Sequence, residues 1–152
     1  MPTLPPFWSL VEAHASELLT YARRLSGDDA EDIVQEALLR ALRSYPRLSH
    51  GNHLRAWLYR ITTTTAFDRS KSNRGREVAV AVVPEVAVEP EQFDDGFHAL
   101  IEALPDGARR SLHLRFVEDL EYEAIARRLG CSPAAARQRV STAVRALRKE
   151  MT

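Results

Sequence analysis

The C-terminal stretch LEYEAIARRLGCSPAAARQRVSTAVRALRKEMT leaves the backbone few choices. Leu120, Ala124, Ile125 and Leu129 recur at the three- and four-residue steps of one helical face. Gly130 follows, where a left-handed C-cap is easiest. Ser132 is a favoured N-cap residue, and Pro133 suits the first position of a new helix. Ala136, Val140, Ala143, Val144 and Leu147 give that second helix its inner stripe, and the small side chains of Ala134, Ala135 and Ala136 are expected where the two helices cross. Two amphipathic helices joined by one tight turn have the grammar of a helix-turn-helix. Arg137, Gln138, Ser141 and Thr142 remain for the outer face. Arginine and glutamine can pair bidentately with base edges in a major groove, and Arg139, Arg145, Arg148 and Lys149 are placed to clamp phosphates. A plain helical hairpin with a charged face would satisfy the same spacing, so the reading depends on the rest of the chain.

Upstream, the same periodicity recurs. Phe7, Leu10, Val11, Ala15, Leu18, Leu19, Ala22 and Leu25 follow Pro5-Pro6 and predict a first helix, broken at Ser26-Gly27. Asp28 and Asp29 stand where a helix start favours acids. The second helix, DAEDIVQEALLRALRSY, is expected to bury Ile33, Val34, Ala37, Leu38, Ala41 and Leu42 and to stop at Pro46. RLSHGNH reads as a loop. The third helix, LRAWLYRITTTTAFDRSKS, carries Leu54, Trp57, Leu58, Ile61 and Thr65 on one face, with Arg55, Tyr59, Thr62 and Thr63 pointing elsewhere. Trp57 is therefore expected in the core, whereas Tyr59 and Arg60 leave that stripe and are better candidates for a nucleic-acid contact. The run Thr62–Thr65 is a poor choice for a helix, because each β-branched side chain restricts its own rotamer. It implies tertiary support or presentation to a ligand. Further on, FHALIEALP predicts a short helix, and Asp106 is placed to cap GARRSLHLRFVED.

Charge divides the 152 residues more informatively than its total, which is zero from 21 bases and 21 acids. Arg55 to Arg76 holds six bases and one acid, Glu77 to Asp95 six acids and no base, and Gly130 to the end five bases and one acid. Clustered bases can track a phosphate backbone even in a neutral protein. The acidic middle, with two prolines and a Val/Ala run lacking a partner strand, reads as a tether. One cysteine, Cys131, excludes an internal disulfide framework, and as a small turn residue it is expected to pack rather than react. The five histidines lack metal spacing; His50 and His53 have no third ligand nearby. No apolar run nears a membrane span, and the N-terminus has no early positive charge, so a cytoplasmic protein without membrane insertion is expected. No phosphate-cradling glycine loop or nucleophile triad is evident, so neither catalysis nor a cofactor is expected.

Two long stretches resemble one family. DAEDIVQEALLRALRSYPRLSHGNHLRAWLYRI is similar to the second conserved region of extracytoplasmic-function (ECF) sigma factors, where an acidic D-x-E-D-x-x-Q-E helix precedes a loop and an R-A-W-L-Y-R-I helix. ALPDGARRSLHLRFVEDLEYEAIARRLGCSPAAARQRVSTAVRALR resembles their fourth region, with its L-x-Y-x-x-I-A-x-x-L-G-x-S helix-turn-helix. The resemblance implies an all-α chain of two small helical domains, a region 2 bundle over 1–76 and a region 4 helix-turn-helix over 96–152, joined by a flexible acidic linker over 77–95. It implies that Asp32, Gln35, Glu36 and Arg40 face the clamp helices of the largest subunit of core RNA polymerase, and that region 4 meets the flap. It further implies that His50, Asn52, Arg55, Tyr59, Arg60, Thr63, Thr64 and Arg69 read the melted minus-ten element. Ser132, Arg137, Gln138, Arg139, Ser141, Thr142 and Arg145 would read the minus-thirty-five duplex. An anti-sigma factor that covers both surfaces is implied as well.

The chain departs from the family pattern twice. An Ala-Arg-Asn-like stretch commonly follows the R-I of the motif, and here Thr64 stands at the asparagine position, which implies a different hydrogen-bonding pattern towards the minus-ten base. Ser141 and Thr142 replace a common His-Arg pair, which implies weaker duplex affinity and a shallower salt slope. Against a promoter-directing sigma factor stand a sigma mimic that binds an anti-sigma protein without reading DNA, and a plain helix-turn-helix repressor. The polymerase-facing motif argues against the repressor.

Overall fold

The computed structural model describes residues 4–48, 51–74 and 96–151. Seven α-helices account for most of them: α1 (Phe7–Ser26), α2 (Ala30–Ser44), α3 (Leu54–Arg74), α4 (Phe97–Glu102), α5 (Asp106–Phe116), α6 (Tyr122–Leu129) and α7 (Pro133–Glu150). No strand occurs among the described residues. The acidic stretch read as a tether lies outside them.

The first three helices form a bundle around α3. Leu18, Tyr21, Ala22 and Leu25 of α1 and Ile33, Val34, Ala37 and Ala41 of α2 close on Leu54, Trp57, Leu58 and Ile61. Trp57 is a core residue, 5 % exposed, beside Tyr45. Gly27, at φ 59°, ends α1 in a region where a side chain would be strained. A three-residue 3₁₀ turn then leads into α2, whose first turn carries Glu31 and Asp32 against the positive end of the helix dipole.

The C-terminal unit is built as its residues dictate. Gly130 adopts the left-handed conformation (φ 68°, ψ 40°) after α6. The Cys131 N–H then returns to the Ala126 carbonyl at 3.0 Å. Ser132 caps α7, its Oγ accepting the Ala135 N–H at 3.1 Å. Ala136, Val140, Ala143, Val144 and Leu147 line the inner face of α7, as the spacing predicts.

Four local expectations need correction. Leu42 is 48 % exposed rather than part of the α2 stripe, because the buried line of α2 runs through Ile33, Ala37 and Ala41 and Leu42 lies to one side of it. Of the three alanines only Ala136 is buried; Ala134 is exposed and Ala135 half-buried, since one turn of helix offers one residue to the crossing. Pro105 occupies the N-cap of α5, and Asp106 lies inside the first turn, paired with Arg109. Thr62 and Thr63 do not face away from the core but are fully buried, with Thr65, because α3 packs against α1, α2, α4 and α5 together, and Thr63 meets the Tyr21 hydroxyl of α1.

That burial explains how α3 tolerates its threonines. Each hydroxyl donates to the carbonyl four residues back: Thr62 to Leu58 (2.8 Å), Thr63 to Tyr59 (2.8 Å), Thr64 to Arg60 (3.0 Å) and Thr65 to Ile61 (2.7 Å). Polar groups that would be costly inside a bundle are satisfied by the helix itself, and the outward methyls pack as valine would.

Candidate nucleic-acid interface

Three surfaces carry the residues singled out above. The first is the outer face of α7. Arg137, Gln138, Arg139, Thr142 and Arg145 are exposed and Ser141 is half-buried. Helical spacing puts Arg137, Gln138, Ser141, Thr142 and Arg145 on one face, opposite the buried stripe, with Arg139 at its edge. The Arg137 guanidinium lies 5.0 Å from the centre of the Tyr122 ring, whose face also meets Arg115 at 4.5 Å. Tyr122 therefore holds Arg137 by a cation–π contact at the start of the helix. Sequence reasoning missed this role, because the turn brings Tyr122 and Arg137 together across 15 positions. The Ser132 oxygen is used as a cap, leaving its hydroxyl proton free to donate.

The second surface is on α2. Asp32 and Gln35 are exposed, and Glu36 and Arg40 half-buried. Arg40 bridges Glu36 (3.2 Å) and Asp68 of α3 (2.9 Å), while Asp32 pairs with Arg69 at 3.2 Å. Arg69, expected near the minus-ten element, is thus tied to the α2 face. Leu39 and Leu42, 55 % and 48 % exposed, share that face with Gln35 at helical spacing. An apolar centre rimmed by ion-paired charge has the make-up of a protein-docking surface. The sequence reading gave Leu39 no role and placed Leu42 inside.

The third surface is the side of α3 expected to read the melted strand, and here the C-terminal helices already occupy it. Tyr59 stacks on Phe116 of α5, rings 14° from parallel and 4.9 Å apart. Tyr21 meets both rings edge-on, at 5.0 and 5.3 Å. Arg60 donates to the Phe116 carbonyl at 2.7 Å. Arg55 reaches Asp119 through Nε and Nη2 (3.3 and 3.2 Å) and Glu121 through Nη2 (2.9 Å). Thr63 is buried against the Tyr21 hydroxyl at 2.6 Å. Thr64 is half-buried beneath Gly96, where an added Cβ would stand 3.5 Å from its methyl. Tyr59 thus does not stand free of the core, for the same reason that Thr63 does not. Asn52 is exposed, and His50 lies outside the described residues.

Ionisation follows this packing. Burial pushes the Tyr59 phenol up to about 12, with the nearby Glu17 adding and Arg115 and Arg55 opposing. Burial drives Tyr21 higher still, against the Thr63 hydrogen bond. For Arg55, burial pulls down and the Asp119 and Glu121 carboxylates outweigh it, so the guanidinium is held further above its ordinary value. Among the described residues no three histidine, cysteine or acidic side chains gather as a metal site, and no helix is long and apolar enough to cross a membrane.

The sigma-70 region 2 family matches residues 10–76, and the sigma-70 region 4 family matches residues 95–147. The ECF RNA polymerase sigma factor SigE of Mycolicibacterium smegmatis is 34 % identical over 90 % of this chain, which spans 58 % of that relative's length. The ECF sigma factor EcfG of Rhodopseudomonas palustris is 32 % identical over 94 % of this chain and 83 % of its own. A solved structure of the sigma factor RpoE with the anti-sigma factor NepR, from Bartonella quintana, is 28 % identical over 95 % of both chains, with a TM-score of 0.46. With both region families matched in order along one chain, and a relative of nearly the same extent, this chain belongs to the ECF family of RNA polymerase sigma factors.

Proposed function

We infer that the chain acts in the cytoplasm as a promoter-specificity subunit, with no catalytic role of its own. Core polymerase takes residues 1–76 through the α2 face, where Leu39 and Leu42 form the apolar centre and Asp32, Gln35, Glu36 and Arg40 the rim. An acidic and amide rim suits a basic coiled coil such as the clamp helices of the largest subunit. Residues 96–152 meet the flap and read the minus-thirty-five duplex through α7, and residues 77–95 link the two domains. The α3 face, once uncovered, reads the minus-ten strand. An anti-sigma factor controls both surfaces.

The observation that carries this reading is the outer face of α7: five polar or basic side chains in one arc, on a helix that Ser132 caps directly after the tight Gly130 turn. In vitro transcription with bacterial core polymerase on fragmented genomic DNA tests it. Discrete start sites sharing two spaced upstream elements, dependent on the protein, are expected. Core binding without starts would replace this reading with the sigma mimic, which the occupied α3 face also fits. Thr64→Asn should change the preferred minus-ten base and leave core affinity unaltered; an unchanged preference removes Thr64 from the base pocket.

A further inference from the structure

We propose that the free chain holds itself shut, with Phe116 and the following acidic loop docked as an intramolecular stand-in for DNA on the α3 face, so that reading the minus-ten strand requires the two domains to part. The proposal rests on α3 being the strand-reading surface.

Four observations converge on this contact. Phe116 packs against the touching pair Tyr21 and Tyr59, and stacks on Tyr59 as an unpaired base would stack on an aromatic platform. Arg55 receives two carboxylates, from Asp119 and Glu121, where a phosphate would otherwise sit. Arg60 is engaged by the Phe116 carbonyl. A flat ring, two anions and a carbonyl thus present the kinds of groups that a nucleotide would, and strand binding would exchange one set for the other without leaving Arg55 uncompensated.

The fourth observation is backbone strain. Among the described residues only two non-glycine residues have positive φ, His53 (61°) and Asp119 (55°). They meet across this contact, His53 Nδ1 standing 3.8 Å from the Asp119 carboxylate. Such conformations persist where surrounding contacts hold them and gather at switching segments. The loop is aimed by its own bonds: the Leu120 N–H returns to the Leu114 carbonyl at 3.1 Å, and Arg115 donates to the Leu120 carbonyl at 3.0 Å. At the far end of the contact, Ser70 of α3 donates to the Met151 carbonyl at the end of α7. The α7 reading face stays outside all of this, so closure covers one promoter surface and leaves the other open.

The double substitution Asp119→Asn with Glu121→Gln removes the anions, keeps the side-chain shapes, and leaves at 119 a residue that tolerates positive φ. Neither residue is among those named for the α2 docking face or for the DNA-reading faces of α3 and α7. The full-length wild-type chain should scatter X-rays as a compact particle, with a radius of gyration near the ~15 Å expected for this length. The variant should be larger and exchange the amides of Arg55 to Thr64 faster. In transcription at limiting protein it should give roughly three- to tenfold more transcript, since apparent affinity scales with the open fraction. An already expanded wild type, or a variant that scatters and exchanges like wild type, overturns the proposal. Scattering and exchange need no polymerase. An opening variant with no transcript from either protein would therefore sink the sigma reading and leave the latch standing; normal transcription from an expanded wild type would do the reverse.

Discussion

The outer faces of α3 and α7 are both nominated to read DNA, yet the structure treats them oppositely. On α7, Arg137, Gln138, Arg139, Thr142 and Arg145 are exposed, with Arg137 over the Tyr122 ring. On α3, Tyr59, Arg60, Arg55 and Thr63 are all engaged inside the protein. A duplex reader needs only a shaped helix, because the groove presents its edges to whatever docks. A strand reader needs apolar and aromatic walls for unstacked bases. Such walls attract the protein's own side chains when no strand is present. Aromatic pairs like Tyr59–Phe116 contribute about 0.5–1.5 kcal/mol each beyond their burial. Partly exposed ion pairs like Arg55–Glu121 contribute about 0–1 kcal/mol.

The contrast can be broken or sharpened by measurement. The largest effect should come from the cores. Leu147→Ala, at a fully buried site of α7, should destabilise the C-terminal half by about 2–5 kcal/mol. Because that half covers α3, the variant should also hasten hydrogen exchange from Tyr59 to Thr65, whereas indifference there would mean that the two faces are not coupled.

Alkali should then attack the covered face first. Tyr21 and Tyr59 have phenol pKa values raised above the ordinary 10, so the fold favours their neutral forms. Their contribution is fully present below pH 10 and is lost as pH rises from 10 through 12 and beyond. Phenolate absorbance should show Tyr21 and Tyr59 titrating late, alongside Tyr45, whose phenol burial also raises, with unfolding in that window; ordinary titration of Tyr21 and Tyr59 would dismiss the packed Tyr21–Tyr59–Phe116 cluster.

On the open face, Arg137→Ala should weaken binding to the best promoter duplex by about 1–3 kcal/mol if the arginine reads a base. Equal loss on random duplex would make it a phosphate contact. The smallest effect should be Ser132→Ala, which removes the α7 cap and should cost about 1 kcal/mol of stability, read by thermal unfolding. A shift within error would mean that solvent caps α7 equally well.

The helices of the described residues, the Gly130–Pro133 turn and the placement of Trp57 in the core were legible from spacing alone. So was the outward arc of α7, because the inner stripe of an amphipathic helix leaves only the opposite face. Where the reading erred, a second neighbour had intervened. Thr62 and Thr63 lie off the apolar stripe of α3, and a helix with one partner would have exposed them. Leu39 and Leu42 show the converse: two leucines that no element among the described residues covers. Periodicity says which residues share a face, but it cannot count how many faces will be covered.

By itself the sequence determined what is local. Helix starts and stops, caps, the left-handed turn and the identity of each face follow from interactions spanning about four residues, and the long motifs carried the family. Only the tertiary structure decided which faces meet. The Tyr21–Thr63 hydrogen bond joins residues 42 positions apart, and Arg55 finds Asp119 64 positions away. No periodicity encodes such pairings: at that range the partner of a side chain is chosen by how whole helices pack, and a basic residue that can meet a phosphate can equally meet a carboxylate of its own chain.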